Sequence, residues 1–398
     1  FYFCLMNFLK ENNFKNKRVL IRVDFNVPLD KNLNVADDSR IIAALPTINY
    51  VLSNNGTVVL ITHLGRPKEK DTKLSLFSVS KRLSKLLKKP VTFLSDCVGS
   101  EVEKKIDQSK AGEVYLLENL RFYKEEALGD ELFSKRLSRL GDVYINDAFG
   151  ASHRAHASTF GVVQYFKKEK YCGLLLEKEI CNLKKVFGKN TSPSLAIIGG
   201  AKISSKIDVL YSLMNSVDKI IVGGGMAYTF IGSLGGKIGS SLIEKDKVSD
   251  AKEILRAAKE RNVKIILPKD SVNSNGFKNN AGVITNIFDI PKGSMGLDIG
   301  PESISLFEKE VLLAKNIIWN GPMGVFEFSN FSNGTRLIAE AICKSTKEGA
   351  FSLIGGGDSV AAIKKYGMEK DISYLSTGGG AMLEFLEGKE LPALVALS

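Results

Sequence analysis

Arg22, Arg40, His63, Arg66, Arg121, His153 and Arg154 are dispersed through the first half of a chain of 398 residues, each near the end of a short apolar run. Rigid guanidinium forks in such positions suit a small molecule carrying several negative charges. The second half holds glycine runs instead: Gly199-Gly200, Gly223-Gly224-Gly225, Gly355-Gly356-Gly357 and Gly378-Gly379-Gly380. Glycine turns that open helices suit nucleotide phosphates, because free backbone N–H groups and the helix dipole both face the anion. Two anion sites of different construction on two half-chains point to phosphoryl transfer across a cleft.

The segments differ in how firmly they point to chemistry. In Arg22-Val23-Asp24-Phe25-Asn26-Val27-Pro28, Pro28 biases Val27 towards extended backbone and so fixes the order in which polar groups leave the strand. Asp24 and Asn26 can bind a hydroxylated substrate, or simply close an Asx turn. In Thr62-His63-Leu64-Gly65-Arg66-Pro67, Gly65 permits a tight turn while His63 and Arg66 offer donors to an oxyanion. The 3 histidines, His63, His153 and His156, all fall in segments of this kind, which favours function over packing. Arg121 follows another apolar run; taken singly, each arginine could be a surface ion pair of little worth.

Lys202 and Lys206 follow Gly199-Gly200 without forming a P-loop. Four residues apart, they are expected on one helical face, either flanking an anion or as a solvated pair. Gly356-Gly357-Asp358-Ser359 repeats the geometry, with Asp358 either capping a helix or holding Mg²⁺. Ser376-Thr377-Gly378-Gly379-Gly380 precedes a further helix. Three glycines cost helix stability, so they imply a close anion or a flexible turn.

The elements that must position these groups alternate along the chain. Strands are expected at 18–23, 57–62, 91–94, 114–117 and 142–145, then at 194–198, 219–222, 263–267, 316–319 and 351–354. Rich in Val, Ile and Leu without polar alternation, they suit strands buried on both faces. Helices are expected at about 39–54 (kinked by Pro46), 75–88 and 131–140, and near 203–215, 248–261, 302–315, 333–345, 359–366 and 380–387. Such alternation predicts an α/β fold with a doubly wound parallel sheet in each half. Ligands then sit outside the carboxyl ends of the strands, where His63, Arg121, Gly199 and Gly355 fall. Residues 165–190 read as one helix bridging two lobes, a lever about which a hinge could close.

Composition bounds the rest. The length suggests two domains, and 44% hydrophobic with 25% charged residues suits an ordinary soluble protein. No apolar run is long enough for a membrane span, and residues 1–5 are too short for a signal peptide, so Met6 reads as the natural start and the cytoplasm as the location. The 5 scattered cysteines support neither a disulfide framework nor a zinc site. A net charge of +11 raises nucleic acid as a partner, but much of the lysine excess, such as Lys81, Lys85, Lys88 and Lys89, lies on helix faces without a basic tract. No nucleic-acid partner is expected.

Taken in order, the segments 22–28, 37–41, 62–67, 118–122, 152–158, 199–206, 223–228, 295–301, 319–327, 355–359 and 376–380 resemble the phosphoglycerate kinase family, with the single tryptophan in its Trp319-Asn320-Gly321-Pro322 segment. The resemblance implies two Rossmann-like lobes joined by a helical hinge. Residues 1–170 with a returning segment from about 380 to 398 would bind 3-phosphoglycerate or 1,3-bisphosphoglycerate. Residues 171–190 would form the hinge and 191–379 would bind ADP or ATP. It implies substrate contacts from Asp24, Phe25, Asn26, Arg40, His63, Leu64, Gly65, Arg66, Arg121 and Arg154. Arg40, Lys202 and the amides of Gly378, Gly379 and Gly380 would flank the transferring phosphoryl group. Lys206, Gly296, Glu327, Gly356, Gly357, Asp358 and Ser359 would bind the nucleotide, with Mg²⁺ on Asp358, in a monomeric glycolytic enzyme. The alternatives are a different carboxylate kinase or a non-catalytic binder of phosphometabolites or nucleic acid.

Overall fold

The computed structural model describes residues 6–9, 12–186 and 192–398. The suggested extension at 1–5 and the end of the expected hinge at 187–190 lie outside the described residues. Two compact units emerge, one running to Ile180 and including Glu390–Ser398, the other Cys181–Lys389. The returning segment joins the first unit at Glu390 rather than at about 380, because helix Gly380–Leu386 packs on helix Ile207–Leu213 of the second unit.

The first unit is built on strands β1 (Arg18–Val23), β2 (Thr57–Ile61), β3 (Thr92–Leu94), β4 (Val114–Leu117), β5 (Val143–Asp147) and β6 (Lys170–Cys172). They form one parallel sheet in the order β3-β4-β2-β1-β5-β6. Every residue of β2, β4 and β5 is buried, as Val/Ile/Leu runs covered on both faces should be. Val19, Ile21, Val58, Leu60, Leu116 and Ile145 of the sheet join Ile41, Ile48, Val79 and Leu83 of helices Ser39–Ser53 and Phe77–Leu87 in one core. The first helix runs on through Pro46, which lies on its exposed side. After β1 the chain winds outward through β2, then returns past β1 to β5, so the loops after β1 and β5 open at a topological switch point.

The second unit repeats the plan with β7 (Ser194–Ile198), β8 (Lys219–Val222), β10 (Lys264–Ile266), β15 (Asn316–Asn320), β16 (Phe351–Gly355) and β17 (Tyr374–Leu375) in the order β10-β8-β7-β15-β16-β17. Its switch point lies between β7 and β15, where the glycine segments after β7, β15 and β16 emerge. Trp319 is fully buried in β15 among Ile197, Phe307, Ile338 and Ile354, and its indole N–H donates to the Gly321 carbonyl at 2.7 Å. The unit also holds β11 (Asp270–Ser274), β12 (Val283–Asn286) and β14 (Met295–Ile299) as an antiparallel sheet, and a small pair of β9 (Lys237–Ile238) with β13 (Asp289–Ile290).

Three expectations need correction. The stretch 165–190 is not one helix: a 3-10 turn at Gly161–Phe166 and strand β6 precede helix Leu174–Val186, within which the two units meet in sequence. The helix expected at 203–215 begins only at Ile207, so Lys202 and Lys206 do not share a helical face. The antiparallel sheet between Asp270 and Ile299 is absent from the strands expected, since its polar residues (Ser271, Asn273, Thr285, Asn286) mask the period.

Candidate functional site

At the carboxyl edge of the first sheet, buried hydrogen bonds aim a set of arginines. Arg22 is fully buried; its Nε donates to Ser158 Oγ at 2.8 Å, one Nη to the Val23 carbonyl and the other to His63 Nδ1 at 3.2 Å. Ser158 donates in turn to Glu126 Oε1 at 2.6 Å, and its backbone N–H to Oε2 at 2.9 Å. Arg121 Nη2 donates to His156 Nδ1 at 3.3 Å, and Arg154 Nε to His153 Nε2 at 3.0 Å. Each histidine thus accepts from an arginine, which requires a neutral ring and orients the guanidinium. Burial, reinforced by Arg22, pushes His63 down to about 3; burial with Arg121 does the same to His156, and His153 is lowered as well. The positive charge of the patch therefore belongs to arginines alone.

Those arginines repel one another. Burial and the neighbouring Arg22, Arg154 and Arg66, against some relief from Glu126, lower the pKa of Arg121. Among the described residues no carboxylate forms an ion pair with Arg22, Arg66, Arg121 or Arg154, and Arg121 Nε is buried without an acceptor. A concentrated, uncompensated charge with an orphan donor is what an anion would stabilise.

Asp24 and Asn26 form the Asx turn of one sequence reading, and Asp24 also pairs with Arg40. The Asn26 N–H reaches Asp24 Oδ1 at 3.3 Å, an Asx-type turn, while Asp24 Oδ2 accepts Arg40 Nη1 at 2.6 Å. Burial alone would raise the Asp24 pKa, but Arg40 and Arg22 hold it below the ordinary carboxylate value. Asn26 Oδ1 accepts the Gly65 N–H at 2.9 Å, which leaves its amide Nδ2 to donate elsewhere. Gly65 itself has φ +66°, and a Cβ there would press on Leu74 at 3.0 Å. Phe25 and Leu64 are core residues: the Phe25 N–H is taken by Thr62 Oγ1 at 2.9 Å and the Leu64 N–H by Asn119 Oδ1 at 3.1 Å, so they set the loops rather than present donors. Asn119, marked in the sequence by its strand-end position but given no role, clamps Leu64, Leu74 and Arg121 together through four hydrogen bonds. Ser158 fell within the 152–158 segment, whereas the buried Glu126 offered no signal.

In the second unit the glycine runs divide into two kinds. The Gly199 N–H donates to the Asn320 carbonyl, Gly200 to Pro322 and Gly224 to Met323 at 2.9, 3.2 and 3.2 Å. A Cβ on Gly224 would lie 2.6 Å from the Gly200 nitrogen, one on Gly199 would overlap the Pro322 carbonyl, and one on Gly321 that of Gly199. These three loops meet backbone to backbone, so their glycines serve close approach and their amides are already engaged, contrary to the phosphate-cradle expectation. The other runs do open helices. Gly356 (φ +92°) takes the cap position of helix Gly357–Lys365, so Asp358 is an exposed first-turn carboxylate and not the cap. Gly379 (φ +51°) precedes helix Gly380–Leu386, while the Gly378 N–H is taken up by Ser376 Oγ at 3.1 Å.

Gly200, Lys206, Asn320, Gly356, Gly357, Asp358, Ser359, Gly379 and Gly380 line one cleft of about 300 Å³. Lys206 donates to Asn320 Oδ1 at 2.6 Å; burial lowers its pKa against the opposing pull of Glu387 and Asp358. Ser359 Oγ accepts the Gly321 N–H at 2.6 Å, tying the helix start to the loop after β15. Lys202 is exposed and, like Gly378, Gly296 and Glu327, is not among the residues lining this cleft. Gly296 sits in β14, where a Cβ would overlap the Tyr228 hydroxyl, and Glu327 is exposed. Among the described residues no cluster of three or more His, Cys, Asp or Glu could hold a metal by itself. A single carboxylate beside helix-opening amides fits Mg²⁺ brought with nucleotide phosphates, which needs one or two carboxylates.

Comparison with known proteins follows the same outline. The family model for phosphoglycerate kinase matches residues 9–389. The chain is 52% identical over 390 residues to the phosphoglycerate kinase of Dictyoglomus turgidum, covering 98% of this chain and 97% of that protein. It is 52% identical over 388 residues to that of Chloroherpeton thalassium, covering 97% of each. Among solved structures it is similar to phosphoglycerate kinase from Coxiella burnetii, with TM-score 0.88, 39% identity and 98% of both chains covered. It is also similar to the enzyme from Pyrococcus horikoshii, at TM-score 0.86 and 34% identity, again with 98% of both covered.

Proposed function

The chain belongs to the phosphoglycerate kinase family, and on that premise we propose how its residues divide the work. The reaction is reversible transfer of the acyl phosphate of 1,3-bisphosphoglycerate to ADP, giving 3-phosphoglycerate and ATP. In our reading the first unit takes the phosphoglycerate. Arg66, Arg121 and Arg154, with His63 Nε2–H, receive its phosphate; Asp24 and Asn26 take its hydroxyl and carboxyl groups. Arg121 Nε carries this assignment, since a buried guanidinium donor without an acceptor gains most from a bound oxyanion.

The second unit takes the nucleotide. Lys206 and the opening amides of helix Gly357–Lys365 meet its phosphates, Gly296 approaches the base and Glu327 the ribose. Asp358 would hold Mg²⁺, which supplies neutralisation of phosphate charge when bound. Arg40, Lys202 and the amides of Gly379 and Gly380 stabilise the transferring oxygens, in a reaction that needs in-line positioning and no general base. Helix Leu174–Val186, within which the two units meet in sequence, is the candidate lever for hinge bending during the reaction. We further propose a cytoplasmic monomer; no described helix is long and apolar enough to cross a membrane.

The test is calorimetric titration of Arg121→Ala with 3-phosphoglycerate and separately with MgADP, beside a coupled assay of ATP-dependent 3-phosphoglycerate phosphorylation. Phosphoglycerate binding should weaken at least about tenfold, or 1.4 kcal/mol, with nucleotide binding unchanged. Unchanged phosphoglycerate binding would refute the assignment.

A further inference from the structure

A second concave site lies on the first unit, apart from the arginine patch. Helix Phe77–Leu87, the 34–38 segment and strand β3 border a groove of about 910 Å³. Its floor is apolar: Phe77, 49% exposed, meets Phe93 edge to face at 5.6 Å, with Val35 and Val91 alongside. Its rim is basic. Arg82 is neutralised by Asp38, its Nε donating at 2.8 Å, whereas Lys81 and Lys85 have no carboxylate partner among the described residues. Lys81 Nζ rests 4.3 Å from the centre of the Phe77 ring. These are lysines of the surplus that the reaction leaves unexplained.

We propose that this groove binds an acidic, extended peptide segment of another protein, added as a further strand along the free side of β3. Strand β3 is the last in the sheet order and pairs only with β4 among the described strands, so one row of its backbone groups faces outward. Lys81 and Lys85, four apart on one helix, stand about 6 Å from each other. Alternate side chains of an extended strand are about 6.6 Å apart, so acidic residues at i and i+2 would meet both lysines. An apolar side chain of the same segment would rest on Phe77 and Phe93.

Lys88, Lys89 and Pro90 lead into the strand and discourage indiscriminate edge pairing. They do not account for an exposed phenylalanine or for unpaired lysines on the neighbouring helix. The same charges that repel a basic strand select an acidic one. Single-stranded nucleic acid suits the groove less well, because a phosphodiester cannot complete a β-ladder.

The test is fluorescence anisotropy of the full chain with a labelled peptide carrying Glu at positions i and i+2 and Val at i+4, so that all three side chains share one face. Binding should weaken at least about tenfold in Lys81→Glu/Lys85→Glu and in Phe77→Ser, with kinase activity and melting temperature unchanged. N-methylation of alternate residues should abolish binding in one register and spare it in the other. Equal binding of a Lys/Val peptide, survival of both N-methylated registers, or capture of oligo-dT in place of the peptide would each overturn the proposal.

Discussion

The arginine patch of the first unit and the glycine cleft of the second are built by opposite means for the anions we propose they bind. In the patch, charge sits on long side chains, and neutral histidines with the Ser158–Glu126 pair keep those chains pointed. In the cleft, helix-opening backbone does much of the work, and glycine is needed because Gly356 and Gly379 lie at positive φ. The lesson concerns tolerance. A patch built from side chains should lose function by degrees, one fork at a time; a cleft built from backbone should fail when its geometry is disturbed by a single methyl group.

The sharpest challenge to this contrast is at the transferring group. Arg40→Ala or Lys202→Ala should lower kcat by about 10²–10⁴-fold in the coupled assay, as loss of an electrostatic stabiliser does. Near-normal turnover in both would remove them from the reaction. Next, Gly356→Ala should raise the KM for MgATP and destabilise by about 1–3 kcal/mol in denaturant titration, because its φ is +92° and the new Cβ would lie 2.6 Å from Asn320 Nδ2. Its KM for 3-phosphoglycerate should not move; if it did, the units would not be separable in this way.

A milder effect is expected within the patch. Arg66→Ala should raise the KM for 3-phosphoglycerate about tenfold with a smaller loss of kcat, since a contact made equally in ground and transition states is uniform binding. A collapse of kcat at constant KM would argue against it. The smallest effect is on pH. His63 and His156 are held near 3 in the folded protein against an ordinary 6.5, so the unfolded chain binds more protons between those values. Their neutral burial is therefore harmless above about 6.5 and increasingly costly as pH falls towards 3. The buried Asp147 and Asp298, raised to about 6 and about 7, push the other way, so a difference measurement is needed. The melting temperature of His156→Asn relative to the parent should rise as pH drops from 7 to 4.5; a constant difference would contradict the neutral-histidine account.

Much of this contrast was legible in the chain. The Val/Ile/Leu runs marked five of the six strands in each parallel sheet, β6 and β17 being the exceptions, and Arg22, Asp24, Asn26, Arg66 and Arg121 stood out as polar residues near their ends. What escaped was decided across long sequence separations. Glu126 reaches Ser158 over 32 residues and Asn119 holds Leu64 over 55, and no local pattern records such bonds. Lys202 and Lys206 misled because a four-residue spacing implies a helix only if a helix is already present there. Strand β6, only Lys170–Cys172, was too short to interrupt the helical pattern around it.

The backbone-to-backbone joint of Gly199, Gly200, Gly224 and Gly321 has a consequence for how this protein can change over time. Gly199, Gly224 and Gly321 are each confined by the main chain of a neighbouring loop and Gly200 by its φ of +106°, so shrinking a neighbouring side chain alone would not accommodate a substitution at any of them. Drift there is closed to single steps and open only to concerted replacement of whole loops. The arginine patch has no such backbone lock, and a single replacement there should weaken binding without closing off the fold. Single replacements should therefore be tolerated least at this junction of the second unit.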